Sequence, residues 1–311
     1  MVSSAPEISV IVPHLNQPAE LASCLASLTA QAGAPRFDVT VVDNGSTELP
    51  EDVIARFPFA QLLVEPTPGP GPARNRGVAG SQGTLLAFID ADCHADPGWL
   101  ATIRRELDDD GAPLILGGDV RIPRVDAGQT TMLEAYESIY AYRMDRYIRE
   151  QGFTGTGNLA VRRRDFERVG PFAGIGVAED RDWGRRAGAL DIPIAYVAEM
   201  RIWHPARTDF QGIFAKWDRQ IGHDFADLRP GGMARVRWYA KALAMFGSPL
   251  AELPRILGSD RVSGLEERLL AFLALVRIRF YRARRMLTVR RSGDAAALSG
   301  GWNRPPSGPP D

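Results

Sequence analysis

The first hundred residues alternate between two periodicities. Continuous β-branched and apolar runs occur at 8–16 ("ISVIVPHLN"), 37–47 ("FDVTVVDNGST"), 60–66 ("AQLLVEP") and 84–93 ("TLLAFIDADC"). Such runs have the character of strands buried on both faces. Between them, "PAELASCLASLTAQ" (18–31) carries apolar residues at helical spacing behind a proline suited to a first helical turn. "PEDVIARFP" (50–58) reads as a short helix, and the Pro/Gly loop at 67–83 passes into a helix near Ala73. Strand, loop and helix in repetition predict an α/β domain, with a mainly parallel sheet covered by helices in an αβα sandwich.

The second half is patterned differently. "TTMLEAYESIYAYRMDRYIREQG" (130–152) predicts one long helix with a packing stripe at Tyr136, Tyr140 and Tyr147. "FTGTGNLAVRRRDFERVGPF" (153–172) predicts a Gly-rich turn, a short strand and a helix that starts near Asp165. "GVAEDRDWGRRAGAL" (176–190) puts Glu179, Asp180 and Asp182 at the start of another helix, and "IPIAYVAEMRIWH" (192–204) is a strand ending in Trp203 and His204. Beyond about residue 210 the chain turns helical and basic. The segment 264–291 holds eight arginines against two glutamates. It can pack on the rest of the chain, form a homodimer, or lie in a membrane interface. The expected organisation is a sheet-bearing domain at 1–215 with halves at about 1–120 and 121–215. A C-terminal helical extension at 216–291 and a Pro/Gly/Ser-rich disordered tail at 292–311 follow.

Composition narrows the classes. A hydrophobic fraction of 45% supports a real core, and a net charge of −1 gives no global field for nucleic acid. Two cysteines, Cys24 and Cys93, have no metal-type spacing and fit a reducing cytoplasm. No basic stretch precedes the first apolar run, so no signal peptide is expected. The longest apolar run, "LLAFLALV" (269–276), falls far short of the ~20 residues of a spanning helix.

Ligands of open α/β sheets bind outside the carboxyl ends of the strands. Asp43, Asp90 and Asp92 all fall at such ends. In an extended chain, Asp90 and Asp92 at i and i+2 share a side, and a cation between them is one way to reconcile two like charges. A solvated strand end is the other. A dinucleotide fold is excluded on motif grounds: the first turn, "PHLNQP", has no glycine, and Arg74 stands where a third glycine should follow Gly69 and Gly71. Near Asp180, Glu179 and Asp182 are rival bases on spacing alone, and all three suit the positive end of a helix. His94 and His223 are weaker metal candidates than His204. Cys93 reads as packing, and Arg162, Arg163 and Arg164 as a solvated face rather than a phosphate contact.

Five segments in order, "SVIVPHLNQ", "VVDNGST", "GPARNRGVAGSQGTLLAFIDADC", "GTGNLAVRRRDF" and "AEDRDWGRR", resemble the glycosyltransferase family 2 enzymes over about residues 7–205. The resemblance implies a GT-A fold and an inverting, metal-dependent glycosyltransferase. It implies nucleotide contacts from Pro13, His14, Asn16, Asp43, Arg74, Asn75 and Asp90, with Asp43 on the base. Asp90 and Asp92 correspond to a D-x-D pair for Mg²⁺ or Mn²⁺, with His204 as a further ligand. Asp180 corresponds to the catalytic base, and Gly157, Asn158 and Glu179 fall on the acceptor side. The implied partners are a UDP-, GDP- or dTDP-sugar and a saccharide or lipid-linked acceptor, with peripheral membrane contact through 264–291 and a homodimer as further expectations. A cytoplasmic enzyme at the inner face of the cell membrane follows. The alternatives are a sugar nucleotidyltransferase, which would carry a Gly-rich phosphate loop where "PHLNQP" stands, and a catalytically silent binding subunit.

Overall fold

In the computed structural model, every early apolar run becomes a strand: β1 (Ile8–His14), β2 (Phe37–Asp43), β3 (Ala60–Val64) and β4 (Leu85–Ile89). They are joined by β5 (His94–Ala95), β6 (Ile115–Arg121), β7 (Asn158–Arg162) and β8 (Ile194–Trp203) in one sheet of order β3-β2-β1-β4-β7-β6-β8-β5. The structure describes residues 5–107, 111–126, 128–175, 177–226, 228 and 232–289. The expected tail at 292–311 lies outside them.

The helices are α1 (Pro18–Thr29), α2 (Glu51–Ile54), α3 (Pro70–Ala79), α4 (Trp99–Glu106), α5 (Met132–Tyr140) and α6 (Met144–Arg146), the last continued by a π-helical turn at Tyr147–Gln151. Then come α7 (Arg163–Val169), α8 (Glu179–Ala189), α9 (Phe210–Ala226), α10 (Gly232–Ala251), α11 (Leu253–Leu257) and α12 (Gly264–Thr288). Contacts divide them into two compact units. The first comprises 1–123 and 142–205, the second 124–141 and 206–311. Residues 124–141 therefore group with the C-terminal helices and not with the stretch 121–215.

In the first unit, successive residues of β1 point to opposite faces of the sheet. Val10 and Val12 pack with Leu21, Leu25 and Leu28 of α1 and Trp99 of α4. Ile11 packs on the other face with Val78 of α3 and with Phe166, Phe172 and Trp183 from around α7 and α8. Both faces are thus covered, which is why the strands lack the polar alternation of a solvated sheet. The sheet is parallel through β3, β2, β1 and β4, and again between β6 and β8. β7 is inserted antiparallel between β4 and β6, and the short β5 is antiparallel to β8.

The helix expected over 130–152 is broken. It starts on a capping box in which Thr131 and Glu134 exchange side-chain and backbone hydrogen bonds. It ends at Ala141, and Tyr142 takes a left-handed φ of 49°. The tyrosine stripe divides accordingly: Tyr136 stacks on Tyr140 in the second unit, and Tyr147 stacks on Phe153 in the first. Neither Ala141 nor Tyr142 breaks a helical pattern by residue type, so the interruption leaves no trace in the periodicity.

The second unit is all helical. Leu133 and Ile139 of α5, Ile213 of α9, Ile256 of α11 and Ala271, Leu275 and Ile278 of α12 share one core. Glu137, buried here, accepts from the Arg207 backbone N–H at 2.9 Å and pairs with the Arg207 guanidinium. Among the described residues, no helix is long and apolar enough to cross a membrane.

Candidate active site

The carboxyl end of β1 meets that of β2 in a closed polar turn. Asp43, the last residue of β2, accepts from the backbone N–H groups of Gly45 and Ser46 at 3.1 and 3.0 Å through Oδ1. Its Oδ2 faces His14 Nδ1 at 3.0 Å. The Gln17 N–H donates to His14 Nε2 at 3.2 Å, so the imidazole carries its proton on Nδ1 and donates to Asp43. Burial alone would raise the Asp43 carboxyl, but the bonds from Ser46, His14 and Gly45 outweigh it and hold the carboxyl below its ordinary range. With 1% of Asp43 and 2% of His14 exposed, these bonds turn both side chains inward. They shape the loop. On that loop Asn16, at a φ of 53°, receives the Thr47 N–H on Oδ1 at 2.8 Å and donates its own backbone N–H to Ser46 Oγ at 2.8 Å. Pro13 is half-buried in β1 and supplies no donor.

The strand carrying the acidic pair ends at Ile89. Asp90 to Cys93 form a turn closed by the Cys93 N–H on the Asp90 carbonyl at 3.0 Å. The two carboxylates therefore do not share one extended face. Asp90 turns to Arg74, whose Nη2 donates to Oδ1 at 2.7 Å, so a guanidinium compensates its charge. A Cβ built at Gly157 would collide with the Asp90 carboxylate, and glycine there leaves room for it.

Asp92 turns to β8. Its Oδ2 lies 3.3 Å from His204 Nε2, and its Oδ1 accepts the Cys93 thiol at 3.6 Å. The one cluster among the described residues with metal-ligand geometry is Asp92, Cys93 and His204, whose donor atoms lie within 4.8 Å of one another. Burial, with the nearby Asp90 and Asp92 charges, pushes the Cys93 thiol well above its ordinary value, so it stays protonated and is a poor donor to a hard cation. Burial also pushes the Asp92 carboxyl up, and Asp90 adds to this while His204 opposes it. His204 Nδ1 donates to the Pro205 carbonyl at 2.7 Å, which turns Nε2 toward both Asp92 and the Tyr142 hydroxyl. A carboxylate oxygen beside an imidazole nitrogen fits Mn²⁺ better than the all-oxygen shell that Mg²⁺ prefers. Tyr142, which no sequence signal singled out, donates its hydroxyl to His204 Nε2 at 2.9 Å and lays its ring 4.4 Å from the imidazole. The unusual φ of Tyr142 is what points it there.

The acidic helix start converges on the same strand end. Arg74 is a buried fork: one nitrogen holds Asp90 and the other holds Glu179 Oε1 at 3.1 Å. Asp180, the second residue of α8, accepts the Arg181 N–H on Oδ1 at 2.7 Å. Burial raises its carboxyl and the neighbouring Glu179 charge raises it further, against weaker lowering from Arg181 and Arg74. Asp182 pairs with Arg186 and Arg185, which hold its carboxyl low. Beside α8 opens a cavity of about 570 Å³, lined by Phe153, Ala178, Arg181, Asp182 and Arg185 among others; Asp180 is not in its wall.

Other predicted site residues hold the scaffold. Asn75 both donates to the Phe172 carbonyl and accepts the Phe172 N–H, each at 2.9 Å. Asn158 is fully buried, taking the Trp99 indole N–H and donating to the Asp119 and Met200 carbonyls, each at 2.9 Å. Its amide ties the sheet together and does not face an acceptor. The run Arg162 to Arg164 is a solvated face only at Arg164, which is exposed beside the Gly111 carbonyl: Arg162 is buried on the Ala112 carbonyl, and half-buried Arg163 bonds the Gly83 and Val78 carbonyls. His94 is exposed opposite Trp203 in the sheet and is not a member of the Asp92 cluster, and the side chain of His223 lies outside the described residues.

The profile of Glycosyl transferase family 2 matches residues 9–170, just over half of the chain. The chain belongs to glycosyltransferase family 2. This glycosyltransferase is 32% identical over 214 residues to glycosyltransferase AglE of Haloferax volcanii, covering 67% of this chain and 69% of that protein. It is 39% identical over 110 residues to an uncharacterized glycosyltransferase of Mycobacterium tuberculosis, Rv0539, covering 35% of this chain and 47% of that one. Among solved structures it resembles mannosyltransferase PcManGT from Pyrobaculum calidifontis, in complex with GDP-Man and Mn²⁺. The TM-score is 0.57 at 17% identity, over 97% of this chain and 89% of that one. GalNAc-T7 with UDP, GalNAc and Mn²⁺ gives a TM-score of 0.50 at 15% identity, over 66% and 45%. The fold of this glycosyltransferase is accordingly of the GT-A kind.

Proposed function

We propose that this glycosyltransferase moves one sugar, with inversion, from a UDP-, GDP- or dTDP-sugar to a hydroxyl of a saccharide or lipid-linked acceptor. It works with Mn²⁺ or Mg²⁺ in the cytoplasm, at the inner face of the cell membrane. The observation that carries the reading is the Arg74 fork, which ties the Asp90 turn to the Glu179–Asp180 helix start. Two acidic elements far apart in the chain are thereby held at one strand end, one beside a ligand pair and the other carrying a raised carboxyl.

Asp92 and His204 would hold the cation. A divalent ion, when bound there, neutralises a diphosphate leaving group. Asp180 takes the proton of the acceptor hydroxyl. Its Oδ1 is occupied by the Arg181 N–H, so Oδ2 is the accepting atom. Burial makes Asp180 a stronger base than an ordinary carboxylate. The loop shaped by His14 and Asp43 meets the nucleotide through Asn16 and its backbone, and not through the Asp43 carboxylate.

The test is a thermal-shift series with UDP, GDP and dTDP, each with and without Mn²⁺ or Mg²⁺. A ligand at 100 times its Kd adds about 2.7 kcal/mol of stability. One nucleotide is expected to stabilise the protein only with metal, and Asp92→Ala is expected to abolish that gain with an unchanged apo Tm. Metal-independent stabilisation, or an unaffected Asp92→Ala, overturns the assignment. Metal-dependent hydrolysis of the matching sugar nucleotide then separates an active transferase from a silent binding subunit.

A further inference from the structure

Nine of the fifteen exposed large apolar side chains among the described residues lie between Met233 and Phe280 of the second unit. Four follow one stripe along α10: Met233 (68% exposed), Val236 (62%), Leu243 (61%) and Leu250 (66%). Ala240 and Gly247 fill the intervening turns, so the stripe runs almost the whole helix without a polar residue. The opposite side of α10 is already satisfied, since Trp238, Ala242 and Met245 pack in the unit's own core with Met286 of α12. α12 repeats the arrangement. Ala271, Ala274 and Ile278 face inward, while Leu265, Leu269, Leu273 and Phe280 are exposed. Phe246 of α10 meets Phe280 of α12 edge-on at 5.0 Å, which joins the two outer faces.

Charge says what covers this surface. The chain has no Asp or Glu from 228 to 251, and none from 268 to 289. Exposed Arg235, Arg237 and Lys241 flank the α10 stripe, and exposed Arg277 and Arg284 flank that of α12. A second copy seated on the same face by a two-fold axis would bring Arg235, Arg237, Arg277 and Arg284 against their own kind, while Lys241 is already paired with Asp224 at 3.8 Å. Large apolar side chains bordered by arginines, with the exposed acid Glu266 confined to the start of α12, match the boundary between anionic headgroups and acyl chains. We propose that the outer faces of α10 and α12 form a docking surface for an anionic lipid bilayer, with α10 as the principal inserting helix. This deepens the membrane part of the proposed function and is independent of its sugar chemistry.

The experiment is cosedimentation of the full chain with phosphatidylcholine vesicles, with and without phosphatidylglycerol. Binding is expected only with the anionic lipid, and it should weaken as salt rises. The double substitution Val236→Ser with Leu243→Ser should weaken binding at least about tenfold. Arg235→Glu with Arg237→Glu should do likewise and flatten the salt dependence. Leu49→Ser, an exposed apolar change in the first unit, should leave binding unchanged. All the altered side chains are exposed, so an unchanged Tm is expected and is measured alongside. Wild-type binding retained by both double variants overturns the proposal. So does a wild-type dimer in sedimentation velocity that the Val236/Leu243 variant converts to monomer.

Discussion

The turn after β2 and the turn after β4 start from the same materials, a buried strand and an aspartate at its carboxyl end. In the first, Asp43 is enclosed by donors from Gly45, Ser46 and His14, and the second nitrogen of His14 is in turn taken by Gln17. In the second, Asp92 faces a weak thiol donor and the Nε2 side of His204, which it shares with the Tyr142 hydroxyl, and burial pushes its carboxyl up. The first turn is closed, its charge matched by the protein's own hydrogen bonds. The second concentrates acceptors and has few donors, which is the arrangement a cation would complete. Asp180 belongs to the second kind, raised by burial and by Glu179. Where the protein completes the valence of a polar group, the group builds structure; where it holds acceptors together against their own repulsion, the group is set up for a ligand or a proton.

The comparison breaks most sharply at Asp180. Asp180→Asn keeps the size of the side chain and can still receive the Arg181 N–H, but it cannot take a proton. Transfer should fall by ~10²–10⁴, the contribution of a positioned base. Stability should move the other way. A carboxyl whose folded value is raised holds its proton more firmly in the folded state, so its contribution is lost as pH rises through that value. Asp180→Asn removes this loss: Tm should rise slightly at neutral pH, and the gain should vanish below the ordinary carboxylate range. A variant both slower and less stable would move Asp180 into the closed, structural class.

Asp43 should behave in the opposite sense. Asp43→Ala strips the acceptor from two backbone donors and from a buried imidazole, at a cost of about 2–4 kcal/mol. Because its folded carboxyl is lowered, its contribution is present above the ordinary carboxylate value near 3.9 and is lost only as pH falls through the lower folded value. Urea unfolding at pH 7 should therefore show the full deficit, and the wild type and variant should converge in strong acid. Equal stabilities at pH 7 would mean that Asp43 is open after all and free to meet a nucleotide.

Much of this arrangement was legible in the sequence. Apolar runs gave every strand from β1 to β4, and the carboxyl ends of those strands located Asp43, Asp90 and Asp92. Which of these are open was not legible, because it depends on partners remote in the chain. His14 meets Asp43 across 29 positions, Asn75 meets Phe172 across 97, and Arg74 meets Glu179 across 105. A motif lists residue types, and Asn75 and Asn158 have the right types in the right order. Only the packed neighbours show their amides closed on carbonyls. Arg162 and Arg163 read as part of a solvated face for the same reason, since the carbonyls they bind lie far away in the chain. Tyr142 carried no signal, because its placement rests on a backbone conformation that tyrosine does not favour.

The smallest expected effect tests how Asp180 is tuned. Burial is the larger cause of its raised carboxyl and the Glu179 charge the next. Glu179→Gln removes that charge and leaves the burial. As a base, Asp180 must be ionised, so kcat/KM should climb with pH through its folded value, on a limb displaced above the ordinary carboxylate range. In Glu179→Gln that limb should move to lower pH, yet stay above the ordinary range because burial persists. Arg74 retains Asp90 as a partner, so the strand end should hold its place. The plateau rate at higher pH should change less than about tenfold, since the base itself is intact. A pH–rate profile of the two proteins decides it. A limb that stays put would show that Glu179 serves Arg74 alone, and a plateau lost by the margin expected for Asp180→Asn would transfer the role of base to Glu179.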